Sequence, residues 1–215
     1  MRNDGGRGFG QPDHYPDHHI DNRPLRMVGL GGSMGRGAQS RMVLEASLAM
    51  AAEAGAETVL VDVRDLDFPI YNPDLRVDAY GAKLAWFLEE VRLADAVLLC
   101  SPTYHGTMSG AIKNALDYLQ FLGGDRPPYL TGKAVGLMSV GSLTAVNTIT
   151  ALDHATRSLN GNIAPTTVVI PNGSVDVARR FIEPATRGRV EAMMTQVLEL
   201  AQVLSPLRRA RVREI

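Results

Sequence analysis

The sequence predicts an α/β protein, a three-layer sandwich whose central sheet holds five parallel strands in the order 2-1-3-4-5. Three observations carry that expectation. Apolar runs of strand length alternate with helix-length segments from residue 25 onward. The runs are apolar at successive positions, the mark of strands buried on both faces. Unusual turns follow the first and third runs, where a doubly wound sheet of this order opens its ligand crevice.

The first strand is LRMVGL (25–30), and a glycine-rich turn follows it. The next helix carries Val43, Ala46 and Met50 at spacings of three and four, and Gly55 falls where a helix C-cap belongs. ETVLVDV (57–63) is the second strand, and FPIYNPD (68–74) is a loop by its prolines. Residues 78–93 read as a helix, DAVLLCS (95–101) as the third strand and SGAIKNALDYLQFL (109–122) as a helix. KAVGLMSVG (133–141) is the fourth strand and APTTVVIP (164–171) the fifth, with helices at 144–160 and 186–204. Right-handed crossovers leave few other ways to connect these units.

Both ends differ in composition from this pattern. Residues 1–24 are rich in Gly, Pro, Asp and His without an apolar period, which predicts a disordered tail. His14, His18 and His19 within it are read as solvated rather than metal-binding. The folded domain is expected to span 25–205. Residues 206–215, a basic tail ending RRARVREI, are read as a solvated helix end, the alternative being an arm over a neighbouring subunit's site.

Bulk properties exclude several function classes. The chain has 22 Lys and Arg against 23 Asp and Glu, so nothing points to a nucleic-acid field or an acidic electron carrier. The one cysteine, Cys100, excludes an internal disulfide, fits a reducing compartment and reads as a buried small hydrophobe. No apolar run approaches the roughly 20 residues of a membrane span, and the start of the chain lacks a secretion signal's apolar core. These features predict a soluble, cytoplasmic protein without nucleic-acid or membrane partners.

Chemistry is expected at the two turns. GLGGSMGRGAQSR fails the dinucleotide fingerprint, because Met34 stands where its third glycine belongs, and it lacks the Gly-Lys-Ser/Thr of a nucleotide-hydrolase loop. What remains offers hydroxyls from Ser33 and Ser40, backbone N–H groups, and charge from Arg36 or Arg41 at a helix start. That set suits a terminal phosphate monoester. In SPTYHG, after the third strand, Pro102 holds the chain extended. Thr103, Tyr104, His105 and Gly106 then present backbone groups and an aromatic to a flat ligand.

GGSMGRGAQSR, LLCSPTYHGTMSGAIKNALDYL and GKAVGLMSVGS together resemble the NADPH-dependent FMN reductase family of flavodoxin-like proteins, nearest to its alkanesulfonate-linked flavin reductases. The resemblance runs from about residue 26 to 172. It implies a flavodoxin-like FMN-binding domain that takes hydride from NADPH and passes electrons to a flavin, quinone or other small-molecule acceptor. It further implies that Ser33, Ser40 and Arg41, with Arg36 or Gln39, hold the FMN phosphate. Pro102, Thr103, Tyr104, His105 and Gly106 are implied to cup the isoalloxazine, and Val140, Gly141 and Ser142 to line its other edge. Lys113, Asn114 and Asp117 match the signature as structural or interface residues. The resemblance implies a homodimer or homotetramer, and a flavin-dependent monooxygenase as a partner.

The first loop departs from the family's usual Gly-Ser-x-Arg, since Gly35 takes the arginine position and Arg36 follows. Some alkanesulfonate-linked members insert a tyrosine in the helix after Pro-x-Tyr; Met108 stands near that place here, which favours a flavin that stays bound. No catalytic side chain and no metal are expected, because the cofactor supplies the chemistry. The rival reading is a flavodoxin-type FMN electron carrier without NAD(P)H oxidation of its own, against which the near-zero charge counts.

Overall fold

The computed structural model describes residues 23–213, with side chains through Arg209. The segment 1–22, with His14, His18 and His19, lies outside the described residues. In chain order the elements begin β1 (Arg26–Gly31), α1 (Gln39–Glu53), β2 (Glu57–Asp62), the four-residue α2 (Val63–Leu66) and α3 (Ala82–Leu93). They continue β3 (Ala96–Tyr104), β4 (Thr107–Met108), α4 (Gly110–Asp117), β5 (Ala134–Gly141) and α5 (Ala145–Ser158). Last come β6 (Asn162–Ile163), β7 (Val168–Pro171), β8 (Val175–Asp176), β9 (Phe181–Ile182) and α6 (Pro184–Arg213).

The parallel order is β2-β1-β3-β5, with β6 and β7 both pairing to the outer side of β5. This is the expected 2-1-3-4-5 sheet, its fifth strand divided in two. Register runs Arg26↔Glu57, Met27↔Ala96 and Ala96↔Ala134. Successive side chains take opposite faces of the sheet. Val28, Leu30, Val97, Leu99, Val135 and Leu137 pack into the core shared with α3, α4 and α5. Met27, Ala96, Leu98, Cys100, Ala134 and Met138 pack into the core shared with α1 and α6. Each fully buried Leu or Val contributes about 1.5–3 kcal/mol, which makes continuous apolarity along a strand the readable signal. Cys100 belongs to this interior; burial pushes its thiol pKa up to about 12.

The expected fifth strand, 164–171, begins earlier and is interrupted. Ala134 and Val135 pair with Asn162 and Ile163, and Met138 resumes pairing with Val168. Residues 136–137 of β5 therefore face residues 164–167 of the edge, a bulge that holds Pro165. The Thr166 N–H donates instead to Gln196 Oε1 at 2.7 Å, on α6. The helix expected at 78–93 is likewise divided: a 3-10 turn at Val77–Tyr80 precedes Gly81, which starts α3 with φ +80. The helix expected over 109–122 tightens to 3-10 geometry after Asp117.

The C-terminal basic segment differs most from its expectation. α6 continues through Pro206 to Arg213, so no boundary falls at 205. Arg208 and Arg209 are buried, and both donate to the fully buried Asp95 just before β3. Asp95 also accepts from Ser205 Oγ at 2.7 Å and from the Arg26 N–H at 3.0 Å. Burial alone would raise its pKa, but the hydrogen bonds from Arg209, Arg26, Ser205 and Arg208 bring it down to about 2. Beside it the buried Lys133 donates to the carbonyls of Ala94 (2.7 Å) and Arg92 (2.9 Å), closing the C-terminal end of α3. Burial, aided by repulsion from Arg208, lowers the Lys133 pKa to about 7.

Two outcomes follow from this knot at the base of the sheet. Asp95→Asn leaves two buried guanidiniums without their carboxylate and is expected to cost about 3–5 kcal/mol in urea unfolding. Lys133 titrates near 7 when folded and near 10.4 when unfolded, so above pH 7 the unfolded chain binds the extra proton. Stability should therefore rise between pH 7 and 8.5, by up to about 1.4 kcal/mol per pH unit, a slope that Lys133→Met abolishes.

Candidate functional site

The carboxyl ends of β1, β3 and β5 form one crest, where three sequence-predicted segments meet. The first leaves β1 at Gly32, whose N–H donates to Cys100 O on β3 at 2.8 Å. A Cβ at residue 32 would stand 2.9 Å from Ile112 Cβ and 3.2 Å from Ser109 Oγ. Glycine at this position thus admits the start of α4 rather than a ligand.

The rest of the turn is built to receive an anion. Ser33 Oγ accepts from the Gly35 N–H at 3.1 Å, folding the loop on itself. The N-cap of α1, Ala38, makes no side-chain cap bond, and no acid stands in the first turn. The helix therefore presents its unpaired N–H groups and positive dipole end. Ser40, in that first turn, is buried, and its Oγ has no hydrogen-bond partner among the described residues. A buried unpaired hydroxyl costs about 1–3 kcal/mol, so its place at an uncapped helix start points to an outside acceptor.

The two candidate arginines separate. Arg41 donates to Asp62 (2.5 Å), Glu45 (2.9 Å) and Asp65 (3.4 Å), and its pKa lies well above the usual arginine value, with the Asp62 bond the largest cause. Arg36 is exposed and has no ion pair or hydrogen bond among the described residues. Gln39 Nε2 donates to Val175 O at 3.2 Å and so ties the loop to β8. The structure thus sets the exposed Arg36 on the turn with Ser33 and Ser40 buried in it, and commits Gln39 and Arg41 to protein partners.

The second segment is more ordered than the open loop its sequence suggests. β3 continues through Tyr104 and turns back into β4, pairing Thr103↔Met108 and Tyr104↔Thr107. His105 (φ +50) and Gly106 (φ +79) form the two-residue turn, and both occupy the left-handed region that a tight hairpin requires. Pro102 stays in register with Val140 of β5. The Thr103 hydroxyl accepts from Thr148 Oγ1 at 2.9 Å, so Thr103 offers the crest its backbone rather than its side chain.

The third segment has Val140 and Gly141 buried and Ser142 exposed. A Cβ at residue 141 would stand 2.8 Å from Thr103 Cβ, so this loop lies tightly against the second. Tyr104, Leu143 and Val146 leave an apolar rim exposed to solvent, Leu143 at 96 %.

The structural part expected of the α4 signature residues takes a definite form, and one further feature, a groove, escaped the sequence. Signature residues on α4 pin neighbouring loops: Asn114 Oδ1 accepts from the Tyr71 N–H (2.9 Å) while its Nδ2 donates to Pro69 O (2.8 Å). Tyr118 Oη donates to the same Pro69 carbonyl at 2.9 Å. Lys113 and Asp117 pair with each other at 2.5 Å on the surface. A groove of about 970 Å³ also runs between α4 and α5, lined by Met108, Leu116, Asn147, Ala151, His154 and Leu159. The positions 147, 151 and 154 lie on one helical face, the signal that could have found it. Among the described residues no group of three His, Cys, Asp or Glu side chains could hold a metal ion, and no helix is long and apolar enough to cross a membrane.

A doubly wound sheet with an uncapped, hydroxyl-bearing helix start at its switch point has the geometry that suits a phosphate-bearing ligand. The model of the NADPH-dependent FMN reductase family matches residues 25–175, and the chain belongs to that family. It is 34% identical over 107 residues to a probable NADPH:quinone oxidoreductase of Oryza sativa subsp. japonica, covering 49% of this chain and 50% of that one. With an NAD(P)H-dependent FMN reductase of Pseudomonas aeruginosa it shares 29% over 104 residues, 48% of this chain and 52% of the relative. The chain spans about half the length of these curated relatives. Among solved structures, RosB with bound 8-demethyl-8-formylriboflavin-5′-phosphate aligns with TM-score 0.68 at 20% identity, covering 84% of this chain and 80% of that one. The flavoenzyme FerB from Paracoccus denitrificans aligns with TM-score 0.64 at 18% identity, covering 81% and 98%. A flavodoxin from the domain Archaea aligns with TM-score 0.56 at 10% identity, covering 84% of this chain and 99% of that one, and these likenesses show the flavodoxin-like fold.

The residues present fit the phosphate of FMN, since the orphaned Ser40 hydroxyl, the uncapped α1 and the free Arg36 supply donors and charge without a competing acid. Arg36→Ala should weaken FMN binding about tenfold in a fluorescence titration, with stability unchanged within about 0.5 kcal/mol. Arg41→Ala should do the reverse, costing about 1–3 kcal/mol by leaving Asp62 with Arg64 as its one remaining partner, while FMN affinity changes less than about threefold.

Proposed function

We propose that this protein is an NAD(P)H-dependent FMN reductase that passes electrons to a flavin, quinone or other small acceptor. The observation that carries the reading is the buried, partnerless Ser40 hydroxyl at the uncapped start of α1, beside the β1–β3 switch point of a family member. When bound, FMN supplies the ring that accepts hydride from NADPH, so no side chain need act as acid or base.

The chain's own part is grip, orientation and exclusion of water. Ser33, Ser40 and Arg36 hold the phosphate. The backbone of Pro102–Gly106 and of Val140–Ser142 borders the ring and fixes its plane against the crest. The start of α5 faces the same crest, and its N-cap Thr144 makes no side-chain bond, so its dipole favours negative charge developing on the ligand there. Tyr104, Leu143 and Val146 provide apolar surface over which a flat acceptor or a nicotinamide ring stacks. Holding the two rings in register is the main contribution to rate.

The protein works as a homodimer or homotetramer in this reading, supported by the groove between α4 and α5 and by the apolar rim beside it. The signature on α4 supports a place near the alkanesulfonate-linked reductases, with a flavin-dependent monooxygenase as one acceptor partner. Met108, near the place where some alkanesulfonate-linked members insert a tyrosine, supports a flavin that stays bound. The near balance of 22 basic and 23 acidic residues favours a reductase over an acidic electron carrier.

The test is a visible spectrum of the purified protein followed by anaerobic stopped-flow mixing with NADPH and, separately, NADH. Rapid bleaching of the flavin band is expected. A protein that binds FMN yet leaves it oxidised under excess of both nucleotides is a carrier, and the reductase reading is then wrong.

A further inference from the structure

Ser109 belongs to the signature yet borders the crest from behind, and it is almost wholly buried. Its Oγ donates to the Gly32 carbonyl at 2.5 Å and accepts from the Ile112 N–H at 3.2 Å. The second bond caps α4 and fixes the oxygen's place; the first reaches across to the opposite turn. Its own N–H donates to Ser101 Oγ at 3.0 Å, and Ser101 Oγ donates in turn to Pro102 O at 2.8 Å. One run of hydrogen bonds therefore links the Pro102 end of the crevice to the Gly32 end through Ser109.

Gly32 is held on both sides, its N–H by Cys100 O and its carbonyl by Ser109. A trans peptide is planar, with its carbonyl and the following N–H pointing to opposite sides. A carbonyl drawn toward α4 consequently turns the Ser33 N–H away from α4. That N–H has no partner among the described residues.

We propose that Ser109 is a positioning residue for phosphate recognition: its hydroxyl locks the Gly32–Ser33 peptide so that the Ser33 N–H joins Ser40 in holding the FMN phosphate. The inference rests on the FMN reading above and adds to it a residue that touches no ligand. Without the latch the peptide rotates at little cost, because glycine at residue 32 restrains it weakly. The donor is then aimed only part of the time.

The test compares FMN with riboflavin, which lacks the phosphate, by fluorescence quenching on wild type, Ser109→Ala, Ser109→Thr and Ser109→Val. Wild type binds FMN more tightly than riboflavin. Ser109→Ala should weaken FMN about tenfold and shift riboflavin by less than about twofold. The Thr and Val variants have nearly the same shape and differ in the hydroxyl, so they decide the matter even where Ala unfolds the protein: Thr should keep the preference for FMN and Val should lose it. Equal FMN affinity in Thr and Val overturns the proposal, as does a loss of FMN and riboflavin affinity in equal measure, the mark of general loosening. A wild-type protein with no preference for FMN over riboflavin instead overturns the phosphate reading on which the proposal stands.

Discussion

No side chain fits at position 32, and the arrangement of the crest follows from that exclusion. The start of α4 comes so near the end of β1 that a Cβ there would stand 2.9 Å from Ile112. The approach lets the Ser109 hydroxyl reach the Gly32 carbonyl, and it brings the turns after β1 and β3 within one hydrogen-bonded run. The close approach of one helix to one strand thus becomes a geometric relation between the two halves of a ligand site. The chemistry at the top of the sheet depends on packing behind it.

The two ends of the sheet put their polar groups to different uses. At the base, one carboxylate organises the polar atoms: Asp95 collects bonds from two arginines, a serine and a backbone amide, while Lys133 closes the end of α3; Arg208 Nε and Thr131 Oγ1 find no partner among the described residues. At the crest, hydrogen-bonding capacity is left over, in the Ser40 hydroxyl, the first amides of α1 and the free Arg36. Polar groups are costly to bury unpaired, so donors left over at a sheet's ligand crevice mark a binding surface. Arg41 shows the same division within one turn of helix, since its charge is consumed by Asp62 and adds stiffness rather than grip.

Much of this was legible in the sequence because both faces of a parallel sheet must be covered. Runs such as AVLLCS have no polar alternation, and their spacing gave strand number, order and the location of the crest. What could not be read depended on contacts distant in the chain. Nothing near Arg41 announces Asp62, twenty-one residues on, and nothing in RRARV announces a buried carboxylate at Asp95 more than a hundred residues earlier. The glycines of the first turn suggested close approach by a ligand, whereas Gly32 is required by a helix of the same chain. His105-Gly106 was readable in principle as a hairpin turn, but His is a less common first residue there than Asn or Asp. The break in the fifth strand was signalled by Pro165 alone, and the rescue of its neighbour's amide by Gln196 needed the fold to be seen.

That break has a consequence for how copies of the molecule can meet. A regular strand at the rim of a sheet offers a ladder of amides and carbonyls onto which a foreign strand can add, the usual opening for runaway association. Here the outer border beyond β5 offers a proline without an amide, four residues out of step, and a threonine N–H already bonded inward to Gln196. Lateral growth of the sheet is blocked on that side, and orderly assembly is left to the helical flanks.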